Sequence, residues 1–204
     1  MKRDFFNSFE KTDVVISEDL ELDTEDQCLS AEMETYFDVD KKFGINTRDD
    51  ENTWVNMYCW YNPILDNLRV IYCIDTQNKD FIREYMPTDE EKQMLSEVME
   101  AACQKQNNQS CKDFYIREYL ENYNKSIDFV CEKNGELYQV KNPDDNFILC
   151  SGTDDKMAQY VGRPILIGMY DGGKRYTIEC SDTGELIDGT GLEGSEEPDE
   201  DMEI

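Results

Sequence analysis

The chain of 204 residues contains no histidine. The usual general base near neutral pH is therefore missing, and with it Ser-His-Asp catalysis, Cys-His catalysis and every His-ligated metal site. Basic residues are scarce: 20 Lys or Arg face 47 Asp or Glu, a formal charge of -27. A surface of that sign repels the phosphates of nucleic acid and the headgroups of anionic membranes, so neither is an expected partner. No two cysteines lie closer than positions 103 and 111, so there is no Cys-x-x-Cys and no zinc-ribbon spacing. There is no long apolar run and no signal-peptide pattern, since Met1 to Glu10 is mixed and polar. The eight cysteines read as reduced, mostly buried thiols of a cytoplasmic protein.

Glycine is nearly absent from the first half: Gly44 alone precedes residue 135, and the other ten follow. A glycine-poor segment followed by a glycine-punctuated one predicts two architectures joined near residues 122 to 127. Charge divides the chain too. Residues 1 to 27 carry a net -6, residues 185 to 204 a net -9, and the segment between them -12. The expected organisation is an acidic N-terminal segment over 1–28, ordered at most in part; an α+β domain over 29–125; a small β-rich domain over 126–188; and a disordered acidic tail over 189–204.

What is present supports a core: 39% hydrophobic residues, with 12 Tyr, 9 Phe and 2 Trp. Ala31, Met33, Thr35, Phe37 and Val39 alternate with Glu32, Glu34, Tyr36, Asp38 and Asp40, the period of a half-buried strand. Trp54 to Tyr61 and Leu68 to Asp75 read as a hairpin turning at Asn62, Pro63, Asp66 and Asn67. Upstream, Val14, Val15, Ile16, Leu20 and Leu22 offer an edge strand. Thr88 and Glu91 form a capping box opening a helix to about Gln104, with Met94, Leu95, Val98 and Ala102 on one face. Ser110, with Asp113 at the third helical position, caps a second helix carrying Ile116, Tyr119, Leu120 and Tyr123. The first domain is thus predicted as a three-stranded antiparallel sheet with two helices. Five or six short strands follow, turning at Asn134-Gly135, Gly172-Gly173 and Asp182-Thr183-Gly184, with a helical turn near Asp154 to Tyr160; they predict a curved sheet or partly open barrel.

Three patterns suggest chemistry. Pro143-Asp144 followed by Asp154-Asp155-Lys156 matches the spacing of a metal-dependent nuclease motif, but the second half lies between Gly152 and a helical turn instead of on a strand. Asp38 to Asp49 imitates the opening of a calcium loop and lacks its glycine and closing glutamate. Cys111, next to Lys112 at a helix start, is the thiol best placed for activation, yet no base partners it. No cofactor or metal is expected.

The acidic surface is the remaining signal. Duplex DNA carries about one charge per 1.7 Å of axis, and a rigid array of carboxylates fits a groove built to grip it. The candidate partner-binding residues are Asp49, Asp50 and Glu51 in a loop, Asp89, Glu90, Glu97 and Glu100 on the first helix, and Glu118 and Glu121 on the second. Plain solubility, which needs a net charge of only about 2 to 8, and salt adaptation are the competing explanations, and against the second stand 13 Lys to 7 Arg. A small, His-free, acidic chain rich in Tyr and Asn resembles the accessory proteins of phages and conjugative elements, among them DNA-mimicking anti-restriction and anti-CRISPR inhibitors. The resemblance lies in composition and carries over no particular residue. It implies a non-enzymatic inhibitor that occupies the basic groove of a nuclease or other nucleic-acid-binding protein. The alternatives are a mobile-element adaptor whose β-rich half binds a protein or peptide, and a carboxylate-based metal-dependent hydrolase.

Overall fold

The computed structural model describes residues 14–16, 19–37, 53–74, 81–85, 89–122, 129–153 and 155–190. The chain divides into two compact units, residues 1–122 and 123–204.

The first unit is α+β. Its sheet is antiparallel and has six strands: β1 (Val15–Ile16), β2 (Glu21–Asp23), β3 (Cys28–Phe37), β4 (Thr53–Asn62), β5 (Asn67–Ile74) and β6 (Phe81–Tyr85). They lie in the order β1-β3-β4-β5-β6, with β2 also pairing with β3. The three-stranded expectation is corrected at both edges. β1 and β2, from the acidic N-terminal segment, pair with β3 through Val15↔Glu34 and Glu21↔Ser30. β6 pairs with β5 from Val70↔Tyr85 to Ile74↔Phe81. All three added strands are short, and β2 and β6 carry charged residues, the usual character of a sheet edge. β3 begins three residues before the predicted strand, and residues 38–40 lie outside the described residues.

Two helices cover one face: α1 (Asp89–Asn107) and α2 (Cys111–Asn122). The core forms between them and the sheet from Leu29, Met33, Met57, Leu95, Met99, Tyr115 and Ile116, all essentially sealed from solvent. Each such side chain contributes roughly 1.5–3 kcal/mol by leaving water. On α1 the buried residues Leu95, Val98, Met99 and Cys103 recur at helical spacing. The proposed cap Thr88 lies outside the described residues. The cap of α2 is as expected: Asp113 N donates to Ser110 Oγ at 3.0 Å and Phe114 N to Ser110 O at 2.9 Å.

A buried amide ties the sheet's turns together. Asn62, 8% exposed, accepts from Ile64 N and Leu65 N at 2.9 Å each and donates to Gln27 O at 2.8 Å. It therefore organises its own β4–β5 turn and holds the β2–β3 turn, where Gln27 adopts a left-handed φ of 51°.

The second unit is a six-stranded antiparallel sheet curled into a half-barrel. Its strands are β7 (Phe129–Asn134), β8 (Leu137–Lys141), β9 (Ile148–Gly152), β10 (Pro164–Tyr170), β11 (Arg175–Cys180) and β12 (Glu185–Gly189), in the order β12-β11-β10-β7-β8-β9. The four-residue helix α3 (Asp155–Ala158) follows β9 and buries Met157. Phe147, Leu149, Ile165 and Ile178 fill the interior. The β7–β8 turn is shifted from its expected register. Asn134 pairs with Leu137, so Gly135-Glu136 makes the loop, and Gly135 alone supplies a positive φ, 63°. Glycine first in a two-residue loop is the pattern of a type II′ turn.

Candidate functional site

Alternation along the first sheet decides what each strand offers to solvent. Ala31, Met33, Met57, Cys59 and Val70 are buried. Their neighbours Ser30, Glu32, Glu34, Asn56, Tyr58, Trp60, Arg69 and Ile71 project from the opposite face, because successive strand residues alternate. The register assembles them into rows: Ser30↔Trp60↔Arg69 and Glu32↔Tyr58↔Ile71. Two aromatic side chains thus stand next to each other, with carboxylates on the β2–β3 side and one guanidinium on the β5 side. That guanidinium, of Arg69, lies over the Trp60 ring with its carbon 4.6 Å from the centroid.

Between β2, β3 and β4 the same face holds a cleft of about 170 Å³, lined by Asp19, Glu21, Ser30, Glu32, Tyr58 and Trp60 among others. Asp19 and Glu21 are exposed and Glu32 is half-buried. Among the described residues the lining has three carboxylates and no base. At the turn end of this face the Cys28 thiol is pushed up to about 12, by burial first and then by the negative charges of Asp23 and Asp26. The arrangement attracts and can stack a cation.

The residues singled out from sequence fall into distinct situations. Asp89, Glu90 and Glu97 are exposed on α1, and Gln93 Nε2 donates to Glu97 Oε1 at 3.2 Å. Glu100 lies on the same stripe but is engaged within the fold, for its Oε2 accepts from Cys111 N at 2.9 Å and so answers the first backbone donor of α2. Glu118 and Glu121 are brought together by Arg117, at 3.3 and 3.5 Å. That guanidinium also lies 5.9 Å from the Phe114 ring. Asp49, Asp50 and Glu51 lie outside the described residues, as does the calcium-loop imitation over 38–49.

The chemical candidates also have places. Asp144 is exposed in the β8–β9 turn, where its N donates to Asn142 Oδ1 at 3.0 Å, and Asp155 and Lys156 are exposed at the start of α3. Asp154 lies outside the described residues. Among the described residues no three His, Cys, Asp or Glu side chains converge as metal ligands. Cys111 is buried, and its thiol is pushed up, chiefly by its hydrogen bond with Cys103 and then by burial. The same bond pulls Cys103 down, so the helix-start position does not activate Cys111. Cys28, Cys59, Cys103, Cys111, Cys131, Cys150 and Cys180 are free and buried, and among the described residues no helix is long and apolar enough to cross a membrane.

Sequence reasoning placed Tyr58 and Trp60 on a strand and missed the site they form with Asp19, Glu21 and Glu32. The available signal was the even spacing of Asn56, Tyr58 and Trp60 opposite Glu32 and Ser30, which becomes informative only with the β3–β4 register.

No protein-family model matches the chain, and neither does any curated protein or any solved structure.

Proposed function

We propose that the protein is a non-enzymatic acidic binder that docks on the basic groove of a nucleic-acid-binding protein, such as a restriction or CRISPR nuclease, and excludes DNA or RNA from it. The observation that carries this reading is the outer face of the first sheet, where Tyr58 and Trp60 are flanked by Asp19, Glu21 and Glu32. Aromatic anchors supply affinity at protein interfaces, while surrounding charges set approach and specificity. The excess of 27 negative charges, together with the exposed acids Asp89, Glu90 and Glu97 on α1, adds a long-range attraction for a basic surface. The test is competition. Increasing amounts of the protein should displace duplex DNA from a nuclease partner, and raising salt should weaken that effect steeply. Retention of no nucleic-acid-binding protein at low salt, in pull-downs from nuclease-expressing cells, would end the proposal.

A second reading is favoured by one feature of the second unit. Leu166 and Leu186, 56% and 45% exposed, flank Glu179 in one row across β10, β11 and β12. This apolar pair suits an adaptor that binds a protein through its β-rich half. Leu166→Ser with Leu186→Ser would remove such a partner and leave competition with DNA intact.

A further inference from the structure

We propose that Cys103 and Cys111, at the corner where α1 turns into α2, are a redox pair that hydrogen peroxide closes into a reversible disulfide, bracing the two helices. The inference is independent of the reading above. One stripe of α1 brings the two residues together. Glu100 and Cys103 stand three residues apart on the same helix face. Glu100 Oε2 accepts from Cys111 N at 2.9 Å, and Cys103 Sγ donates to Ser110 O at 3.6 Å. That face thus holds two consecutive residues of the returning chain, and the Cys103 and Cys111 thiols share a hydrogen bond. Cys103 lies near the end of α1 and Cys111 opens α2, with residues 108–110 between the helices. The chain reverses at Asn108, which is exposed and has a left-handed φ of 55°.

The surroundings assign the two roles. The hydrogen bond from Cys111 holds the Cys103 thiol below its ordinary value; burial and the charge of Glu100 oppose this, and Asn107 and Arg117 support it. By contrast, burial pushes the Cys59 thiol up to about 12. Thiolate character makes a cysteine nucleophilic, so Cys103 attacks and Cys111 resolves. The Cys103 sulfur attacks one peroxide oxygen: an S–O bond forms, the O–O bond breaks, and the departing hydroxide takes up the Cys103 proton as water. The Cys111 sulfur then displaces hydroxide from the sulfenic acid, the S–S bond forms, and the Cys111 proton leaves in a second water. Two thiols and one hydrogen peroxide give one disulfide and two waters, with two electrons passing from sulfur to oxygen. Both thiols are sealed in the closed fold, at 0% and 1% exposed. The reaction therefore uses fraying of the helix ends that meet at the corner, since such ends open at less cost than the core.

The experiment treats the full native chain with hydrogen peroxide, blocks the remaining thiols and digests it with trypsin without reductant. Lys105 separates the two cysteines, so the bond is read as a link between peptides 93–105 and 106–112, each with one cysteine. The linked peptides should form before any other cysteine pair, weigh two hydrogens less than their sum, and come apart on reduction. Because the bond closes the loop from Cys103 to Cys111 in the unfolded chain, the urea midpoint of the oxidised protein should rise by about 1 M and return with reductant. In Cys111→Ser the Cys103 sulfenic acid has no resolving thiol, so it should accumulate and be trapped by dimedone. A link that forms only in urea, or no sooner than other pairs, would overturn the pair, and this result is read on the unsubstituted chain. An unchanged or lowered midpoint after linking would overturn the brace. Equal dimedone trapping at Cys111 in Cys103→Ser would overturn the assigned order of attack.

Discussion

Glu100 offers the sharpest division between a carboxylate that faces a partner and one that holds the fold. It shares the exposed stripe of α1 with Glu97 and Glu90, yet its Oε2 receives Cys111 N at 2.9 Å. Cys111 is the first residue of α2, and its N–H has no partner within that helix. The Ser110 hydroxyl serves Asp113 N instead. Glu100→Ala removes a charge-assisted bond to a partly buried donor and a negative charge from a helix N-terminus. By analogy with lost N-caps this costs about 1–2 kcal/mol. Glu100→Gln keeps an acceptor and should cost about 0.5 kcal/mol, and Glu90→Ala, exposed on the first turn, about 0.5 kcal/mol or less. Urea unfolding followed by tryptophan fluorescence is the assay. Both tryptophans, Trp54 and Trp60, belong to the first unit, so the signal reports the unit in which the bond lies. The midpoint should fall for Glu100→Ala with an unchanged slope against urea. An equal midpoint for Glu100→Ala and Glu90→Ala would refute the capping role and return Glu100 to the set available to a partner.

Three further outcomes follow from the same coordinates. Asn62→Ala leaves Ile64 N and Leu65 N without their acceptor, while Gln27 O keeps a bond from Tyr115 Oη at 3.4 Å; the expected loss is about 2–3 kcal/mol in urea unfolding, and a loss below about 0.5 kcal/mol would contradict the network. Gln27→Gly relieves a left-handed φ of 51° and should stabilise the first unit by up to about 1 kcal/mol, provided the turn keeps its conformation; a drop in midpoint would show that the Gln27 side chain matters more than the backbone. Burial pushes the Cys59 thiol up from 9.0 to about 12, so between those values the unfolded chain releases a proton that the folded chain keeps. Stability is therefore full below about pH 9 and falls above it by up to about 1.4 kcal/mol per pH unit for this thiol; Cys59→Ala should flatten that slope in alkaline urea titrations, and an unchanged slope would rule the thiol out as its source.

Much of the architecture was legible because its signals are local. Ser110 with Asp113 marks a helix start within four residues, and Trp54 to Tyr61, a strand by its own composition, lies within β4 (Thr53–Asn62). β6 was missed for the opposite reason. Phe81–Tyr85 is five residues with a charged pair inside it, and what makes it a strand is its pairing with β5. The site was hidden by the richness of β4. In Asn-Met-Tyr-Cys-Trp-Tyr over 56–61 nearly every position is apolar or aromatic, so periodicity does not say which set faces in. The register does: Cys59 lies opposite Ala31 and Val70, which are buried, and Trp60 opposite Ser30 and Arg69, which are not. Glu100 and Glu97 are likewise the same residue type on one stripe, and the return of the chain through residues 108–110 is what sets them apart.

The net charge overstates how evenly the protein is acidic and understates how directed it is. Several of its few bases are already matched within the fold: Lys92 with Asp66 at 3.0 Å, Lys141 with Glu132 at 2.7 Å, and Arg117 with both Glu118 and Glu121. Such exposed pairs add little stability, about 0–1 kcal/mol each, but each cancels the field of the carboxylate it touches. The carboxylates of the β2–β3 edge, Asp19, Glu21 and Glu32, line one cleft with Tyr58 and Trp60, and Arg69 lies over Trp60 on the β5 side of the same face. The field on that face is therefore graded, negative on the β2 side and offset on the β5 side. A graded field beside two aromatic rings orients an approaching cation as well as attracting it, which uniform surface charge cannot do. Solubility alone requires no such gradient, and for that reason the outer face of the first sheet carries more functional weight than the acidic total.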